Sequence, residues 1–266
     1  FAAYLLVRVW DWAAQREQRG RREAAPLPAA QPAPGSPPAE RHVRRWGGWM
    51  GRFGARGPAA LLAVVVLAGT LLYALAFASI YWRPHSRVEA SRWMYANIPK
   101  GATLANEHWD DALPLRLDGK DGFGGWFKGV EIPNYHEDTP EKLSLLVERL
   151  TQADYVVLSS NRLYDSIPRL PMRYPMATRY YELLFAGQLG FSKVAEFTSY
   201  PQLLGVAIPD QSAEEAFSVY DHPKVTIFKK TEAFAAERVR HLLGDGIDWD
   251  HILRLRPVVA AEAPTG

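Results

Sequence analysis

The chain contains no cysteine. That absence excludes disulfides, thiolate nucleophiles and cysteine-ligated zinc together. It leaves the compartment open, because an oxidising space permits disulfides without requiring them. Lysine is missing from the first 57 residues, where ten Arg face four acids, a balance of +6. The remaining 209 residues hold 31 − 10 = 21 basic and 29 − 4 = 25 acidic groups, a balance of −4. A nucleic-acid partner is therefore not expected, since most of the chain has no excess of phosphate-neutralising charge. With 48% hydrophobic and 23% charged residues over 266 positions, wholesale disorder is excluded as well.

Charge is also missing from Pro58 to Trp82, 25 consecutive residues centred on Leu61-Leu62-Ala63-Val64-Val65-Val66-Leu67. As a helix this run would rise roughly 37 Å, more than the roughly 30 Å hydrocarbon core of a bilayer. The sequence thus predicts a transmembrane helix over residues 58–82, with Tyr81-Trp82 as interfacial aromatics and Arg83 closing the run. The flank before it holds nine Arg between Arg16 and Arg56, while Arg83, Arg87 and Arg92 after it are soon diluted by acids. The stronger basic bias marks residues 15–57 as a cytoplasmic loop and residues beyond Trp82 as extracytoplasmic, in the cell membrane. Inside that loop, Ala24 to Pro38 has six Pro in fifteen residues, a stiff spacer unable to propagate a helix or a ladder. Trp46, Trp49 and the neighbouring Arg suit headgroup contact with the lipid bilayer.

The chain opens on an apolar stretch, Phe1 to Val7, before its first charge at Arg8. A secretory signal has the reverse order. Residues 1–14 are therefore expected to end a transmembrane helix that begins outside this sequence, giving a multi-pass protein; a short amphipathic surface helix is the alternative. Residues 232–266 are expected to hold one amphipathic helix, to Leu243, and a tail without a clear stop.

Between Arg83 and Thr231 the patterns alternate. Residues 88–98 read as a helix ended by Pro99, and residues 101–105 as a short strand. Thr139-Pro140 opens a helix with an N-cap and a first-turn proline, and Leu143, Leu146, Val147 and Leu150 fall on one face of it. Residues 155–158 read as a strand buried on both faces, 176–189 as helical, and 191–197 and 224–228 as further strands. Alternating helices and strands predict βαβ crossovers and a small three-layer α/β, Rossmann-like extracytoplasmic domain over residues 83–231.

Candidate binding residues lie just past two of the strands. Glu107, His108, Asp110 and Asp111 sit where α/β sheets bind ligands, and could act as acid and base or hold a cation. Their spacing matches no established metal motif, and a capped turn with solvated acids is the better reading of them. Ser160, Asn161 and Arg162, preceded by Ser159, could hold phosphate or sugar hydroxyls, or merely cap the next helix. Asp118 to Trp126 is a Gly-rich loop without the Gly-Lys-Ser/Thr ending of a phosphate loop, so nucleotide binding is unsupported. Its aromatics suit sugar stacking or membrane contact. Asp221-His222-Pro223 reads as a turn. Spacing alone proposes no catalytic residue, no metal ligand and no cofactor.

Residues 105–114, 157–164, 167–184 and 218–225, taken together, resemble the extracytoplasmic C-terminal domain of prokaryotic polytopic membrane proteins of the "YYY" kind. Those proteins look like C-type, lipid-carrier-dependent glycosyltransferases. The similarity covers roughly residues 83–231, and departs at the tyrosine run, where only Tyr180-Tyr181 stands. The resemblance implies that the parent protein transfers a sugar from a polyprenyl-phosphate carrier to a glycan or protein acceptor. In such enzymes the catalytic acid lies in the first extracytoplasmic loop, which has no counterpart here, so no residue inherits that role. The alternative is a non-catalytic membrane protein whose outer domain binds a partner or polymer. A soluble hydrolase with an anchor is weaker still, because no nucleophile motif is present.

Overall fold

The computed structural model describes residues 7–9, 11–12, 14–15 and 56–254. The expected spacer and Arg-rich loop, most of the first apolar segment, and the tail after residue 254 lie outside the described residues. Two compact units divide between Leu75 and Ala76.

The first unit contributes most of helix α1, Arg56–Ala78. Ala, Leu and Val fill this 23-residue helix, and Leu61, Val64, Val65, Leu67 and Leu71 stand exposed around its circumference. Lacking a polar side, it has no face to present to water, and among the described residues it is largely unburied. Its Thr70 hydroxyl donates back to the Val66 carbonyl at 2.8 Å, the arrangement that hides a hydroxyl from hydrocarbon. The helix is long and apolar enough to cross a membrane. From Gly57 to Leu75 it rises about 28 Å, close to the hydrocarbon thickness.

The second unit starts before the charge-free run is over. Ala76, Ser79 and Ile80 are buried, and the 3-10 turn Ser79–Trp82 follows the helix. Phe77 packs edge-on to His222 with ring centres 5.6 Å apart. The run therefore does not continue freely to Trp82; its last two turns belong to the α/β unit. Helix α2, Ser86–Asn97, follows directly, capped by the His85 side chain, which accepts from the Arg87 amide.

Five strands form one mixed sheet: β1 Thr103–Glu107, β2 Lys128–Ile132, β3 Tyr155–Leu158, β4 Phe191–Phe197 and β7 Val225–Lys230, in the order β2-β1-β3-β7-β4. Strand β1 is parallel to both β2 and β3, with α3 Pro140–Gln152 making the crossover from β2 to β3. The Thr139 hydroxyl accepts from the Lys142 amide at 3.0 Å, as its position before Pro140 predicts. Strand β7 is antiparallel to β3 and β4. The expected crossovers therefore hold from β1 to β4, which all run the same way, and stop at β7 for a local reason. Between β4 and β7 the chain has only the two-stranded hairpin β5 Gln202–Leu203 and β6 Val206–Ala207 and the single turn α6 Glu215–Ser218, and without a crossover helix the return strand must run antiparallel.

Alternation along β3 sends its side chains to two cores. Val156 and Leu158 join Leu146, Leu150, Met176, Tyr180 and Leu184, from α3 and α5 (Pro175–Phe185), on one face. Tyr155 and Val157 join Met94, Leu104 and Ile227 over α2 on the other. All four β3 residues are buried, as a strand covered on both sides requires. Helix α7, Ala236–Gly244, closes the first core with Val239 and Leu243, beginning four residues later than the sequence predicts. The short α4 Arg162–Ser166 and the C-terminal α8 Trp249–Arg254 complete the order.

Candidate functional site

The connection after β1 runs to one edge of the sheet, towards β2, and the connection after β3 runs to the other, towards β4. Adjacent strands whose exits diverge leave a crevice beyond their carboxyl ends, the place where such sheets take ligands. The candidate residues after β1 and after β3 therefore meet at one crevice, although 50 residues separate Asp110 from Ser160.

One half of the crevice is closed by a clasp. Arg87 of α2 donates from Nη2 to Asp110 Oδ1 at 3.1 Å, from Nη1 to Asp111 Oδ2 at 2.6 Å and from Nε to the Ser159 carbonyl at 3.2 Å. Asp110 Oδ2 accepts from the Ser160 hydroxyl at 2.5 Å, and Asp110 Oδ1 also accepts from the Asp111 amide. Arg87 and Asp110 are both buried, while Asp111 is exposed. Ser160 Oγ further accepts from the Arg162 amide at 3.1 Å. Asn161 turns away, donating to Asp165 at 2.9 Å and to the Ser218 hydroxyl at 3.2 Å. The Arg162 guanidinium lies 5.2 Å from the Tyr220 ring centre, and its buried Nε has no hydrogen-bond partner. Only the bond from the Arg162 amide to Ser160 is of the capping kind; Asn161 makes no cap hydrogen bond, and the bonds to Asp110 and Ser218 tie these residues to distant parts of the chain.

The other half is open. Glu107, the last residue of β1, is buried at 4% exposure, yet it lines a cavity of about 260 Å³ with Trp109, Asp110, Phe123, Val130 and Glu131. Its Oε1 accepts from the Tyr181 hydroxyl at 2.5 Å and from Asn134 Nδ2 at 3.3 Å, and its Oε2 has no partner. Burial pushes this carboxyl up to about 7, against the pull of the two hydrogen bonds, and nearby Asp110 adds to the rise. The carboxyl thus keeps a proton near neutrality and one buried oxygen without a bond, the kind of perturbed group that gathers at functional sites.

Beside it stands an aromatic shelf. Trp109, held at a φ of 71° and 60% exposed, has its ring centre 5.3 Å from that of the exposed Tyr135. The His108 ring stacks on His136 at 5.0 Å, and its Nδ1 meets Glu131 Oε1 at 2.8 Å. A buried pair fixes the shelf from below. Lys142 Nζ donates to the carbonyls of Asn134 and His136 and to Asp138 Oδ1, while Asp138 Oδ2 accepts from the Met176 and Ala177 amides at the start of α5. Burial lowers the Lys142 ammonium, with Asp138 opposing that fall.

Sequence reasoning missed Arg87, Asn134, Tyr135 and Tyr181 as site residues. The run Asn134-Tyr135-His136-Glu137-Asp138 immediately after β2 was the available signal: a third polar loop at a strand's carboxyl end. The Gly-rich loop contributes Phe123 to the cavity, but Trp126 is taken by packing, edge-on to Tyr95 with ring centres 5.5 Å apart. Asp121 orders that loop by accepting from the Gly124 amide at 2.9 Å. His222 pairs with Asp210 at 2.8 Å rather than with Asp221, which accepts from Tyr81. Among the described residues, no group of three His, Asp or Glu side chains is placed to hold a metal ion.

Comparison with protein-family models, curated proteins and solved structures finds no match.

Proposed function

We propose that this chain is part of a multi-pass membrane glycosyltransferase-like protein whose α/β unit faces the extracytoplasmic side. In this reading the open half of the crevice binds the sugar portion of a polyprenyl-phosphate-linked donor or of a glycan acceptor. The observation that carries it is one juxtaposition: the exposed Trp109 ring, which meets the exposed Tyr135 ring, lines a cavity at a sheet switch point together with Glu107 and Glu131. A sugar ring offers apolar C–H faces that an aromatic shelf covers, and hydroxyls that carboxyl oxygens accept. The exposed apolar helix and the Arg-rich segment before it support membrane insertion with the domain outside. Helices on both faces of the sheet support a small Rossmann-like three-layer domain, from which the antiparallel β7 departs. The resemblance to the "YYY" proteins supplies the reaction class and its lipid carrier.

The test is transfer of radiolabelled sugar from polyprenyl-phosphate donors in membranes holding the full-length protein. Deleting residues 83–231 should abolish transfer while leaving membrane insertion intact, and Trp109→Ala should reduce transfer at least tenfold, about the 1.4 kcal/mol that one stacking contact supplies. Undiminished transfer in both variants removes the domain from the reaction. A second reading has a specific observation behind it. Asp110, Ser160 and Asn161 are occupied with one another and with Arg87, Asp165 and Ser218, which suits a rigid binding module for a wall polymer. Polymer binding that depends on Trp109 in a protein without transferase activity would establish that reading instead.

A further inference from the structure

Between Glu196 and Asp210 the sequence FTSYPQLLGVAIP carries no charge, and its second half, Leu204 to Pro209, is exposed. The hairpin β5–β6 turns at Leu204-Gly205, with φ of 49° and 85°. A two-residue turn with both φ positive ordinarily takes Asn-Gly or Asp-Gly, because a branched apolar residue is strained there and exposed besides. Here the tip is a leucine at 96% exposure, followed by Val206 at 68%. An apolar tip in a strained position, unshielded by any charge, marks a surface built for an apolar environment.

The place of the hairpin identifies that environment. The Gln202 amide donates to the Ser79 hydroxyl at 2.9 Å, which fixes β5 to the 3-10 turn that ends the apolar helix. Arg83 donates to the Tyr200 carbonyl just before the hairpin, so the attachment is double. In that same turn Trp82 is 78% exposed, the position of an interfacial aromatic. We infer that the β5–β6 hairpin inserts Leu204 and Val206 into the acyl–headgroup boundary of the bilayer that the apolar helix crosses, so that the domain touches the membrane at a second point. The inference rests on the helix crossing a bilayer, and it requires neither a sugar ligand nor transferase activity.

The absence of cysteine makes the test clean. Single variants Leu204→Cys, Val206→Cys, Val65→Cys and Glu237→Cys of the full chain are labelled with an environment-sensitive NBD fluorophore. They are reconstituted in phosphatidylcholine–phosphatidylglycerol vesicles. Positions 204 and 206 should show blue-shifted emission, resist aqueous iodide, and be quenched by doxyl-labelled lipid about threefold more than position 237. Iodide quenching at 204 and 206 equal to that at 237 overturns the inference, because the hairpin then stands in water. Shielding from both quenchers overturns it too, by showing a protein contact such as a second copy. The label at Val65 separates the two levels of failure. If position 65 also escapes lipid quenching, the membrane crossing itself is wrong; if 65 is quenched and 204 is not, only the hairpin placement falls.

Discussion

Three buried carboxyls lie near the carboxyl ends of β1 and β2, and they are treated differently. Asp110 meets the buried Arg87 guanidinium, and Asp138 meets the buried Lys142 ammonium at 2.8 Å. Glu107 has hydrogen bonds from Tyr181 and Asn134 but no cation among its partners, and one of its oxygens is bonded to nothing. The first two are fastened and hold loops in place. The third retains a proton near neutrality and a buried acceptor oxygen without a partner, in a residue that lines a cavity. Of these three acids, Glu107 is the one left incompletely satisfied, which singles it out for the proposed site.

Removing a clasp should cost most. Arg87→Met leaves Asp110 buried without its cation, and thermal or denaturant unfolding should show a loss of about 3–5 kcal/mol. A loss below about 1 kcal/mol would mean that Asp110 is not dependent on Arg87, and the contrast with Glu107 would dissolve. Glu107→Gln should behave in the opposite sense above neutrality. Because the folded protein holds this proton more tightly than the unfolded chain, the carboxyl's contribution to stability is complete below about pH 4.5 and is lost as pH rises through about 7. The amide cannot ionise, so the variant should gain on wild type as pH is raised from 5 to 8, by on the order of 3 kcal/mol. Parallel pH–stability curves for the two proteins would break the comparison.

Smaller effects sharpen it. Tyr181→Phe removes the 2.5 Å donor to Glu107 Oε1, so the midpoint of Glu107 titration should move further up, by about one unit. A fall would show that Tyr181 is not the group holding that oxygen. Trp109→Ala should change stability by less than about 0.5 kcal/mol, since the ring is exposed and touches only the shelf. Its consequence belongs to ligand binding alone, and a large stability loss would recast the shelf as structure.

Much of this was legible in the sequence, and the part that was not has a common cause. The N-cap at Thr139, the apolar face from Leu143 to Leu150 and the doubly buried strand 155–158 follow from neighbours in sequence, and each is found where the pattern puts it. The strand-end positions of Glu107 and Ser160 followed from the same local reading. Their partners did not. Tyr181 reaches Glu107 across 74 residues and Arg87 reaches Asp111 across 24, and no periodicity encodes such pairs. Thus Asp110 and Glu107, three residues apart with the same chemistry in the sequence, have different fates decided by helices elsewhere. The antiparallel course of β7 was hidden likewise, because strand pattern is silent on direction and only the missing crossover helix betrays it. The hairpin at Leu204 escaped because its strands are two residues each, too short for alternation to register.

Infrared titration of the Glu107 carboxyl, taken as the difference between wild type and Glu107→Gln, tests most directly that the open half of the crevice holds an unpaired acid. The account predicts a protonated carbonyl band that persists through pH 6 and disappears with a midpoint near 7. A carboxylate already ionised at pH 5 would contradict it, placing Glu107 among the fastened acids.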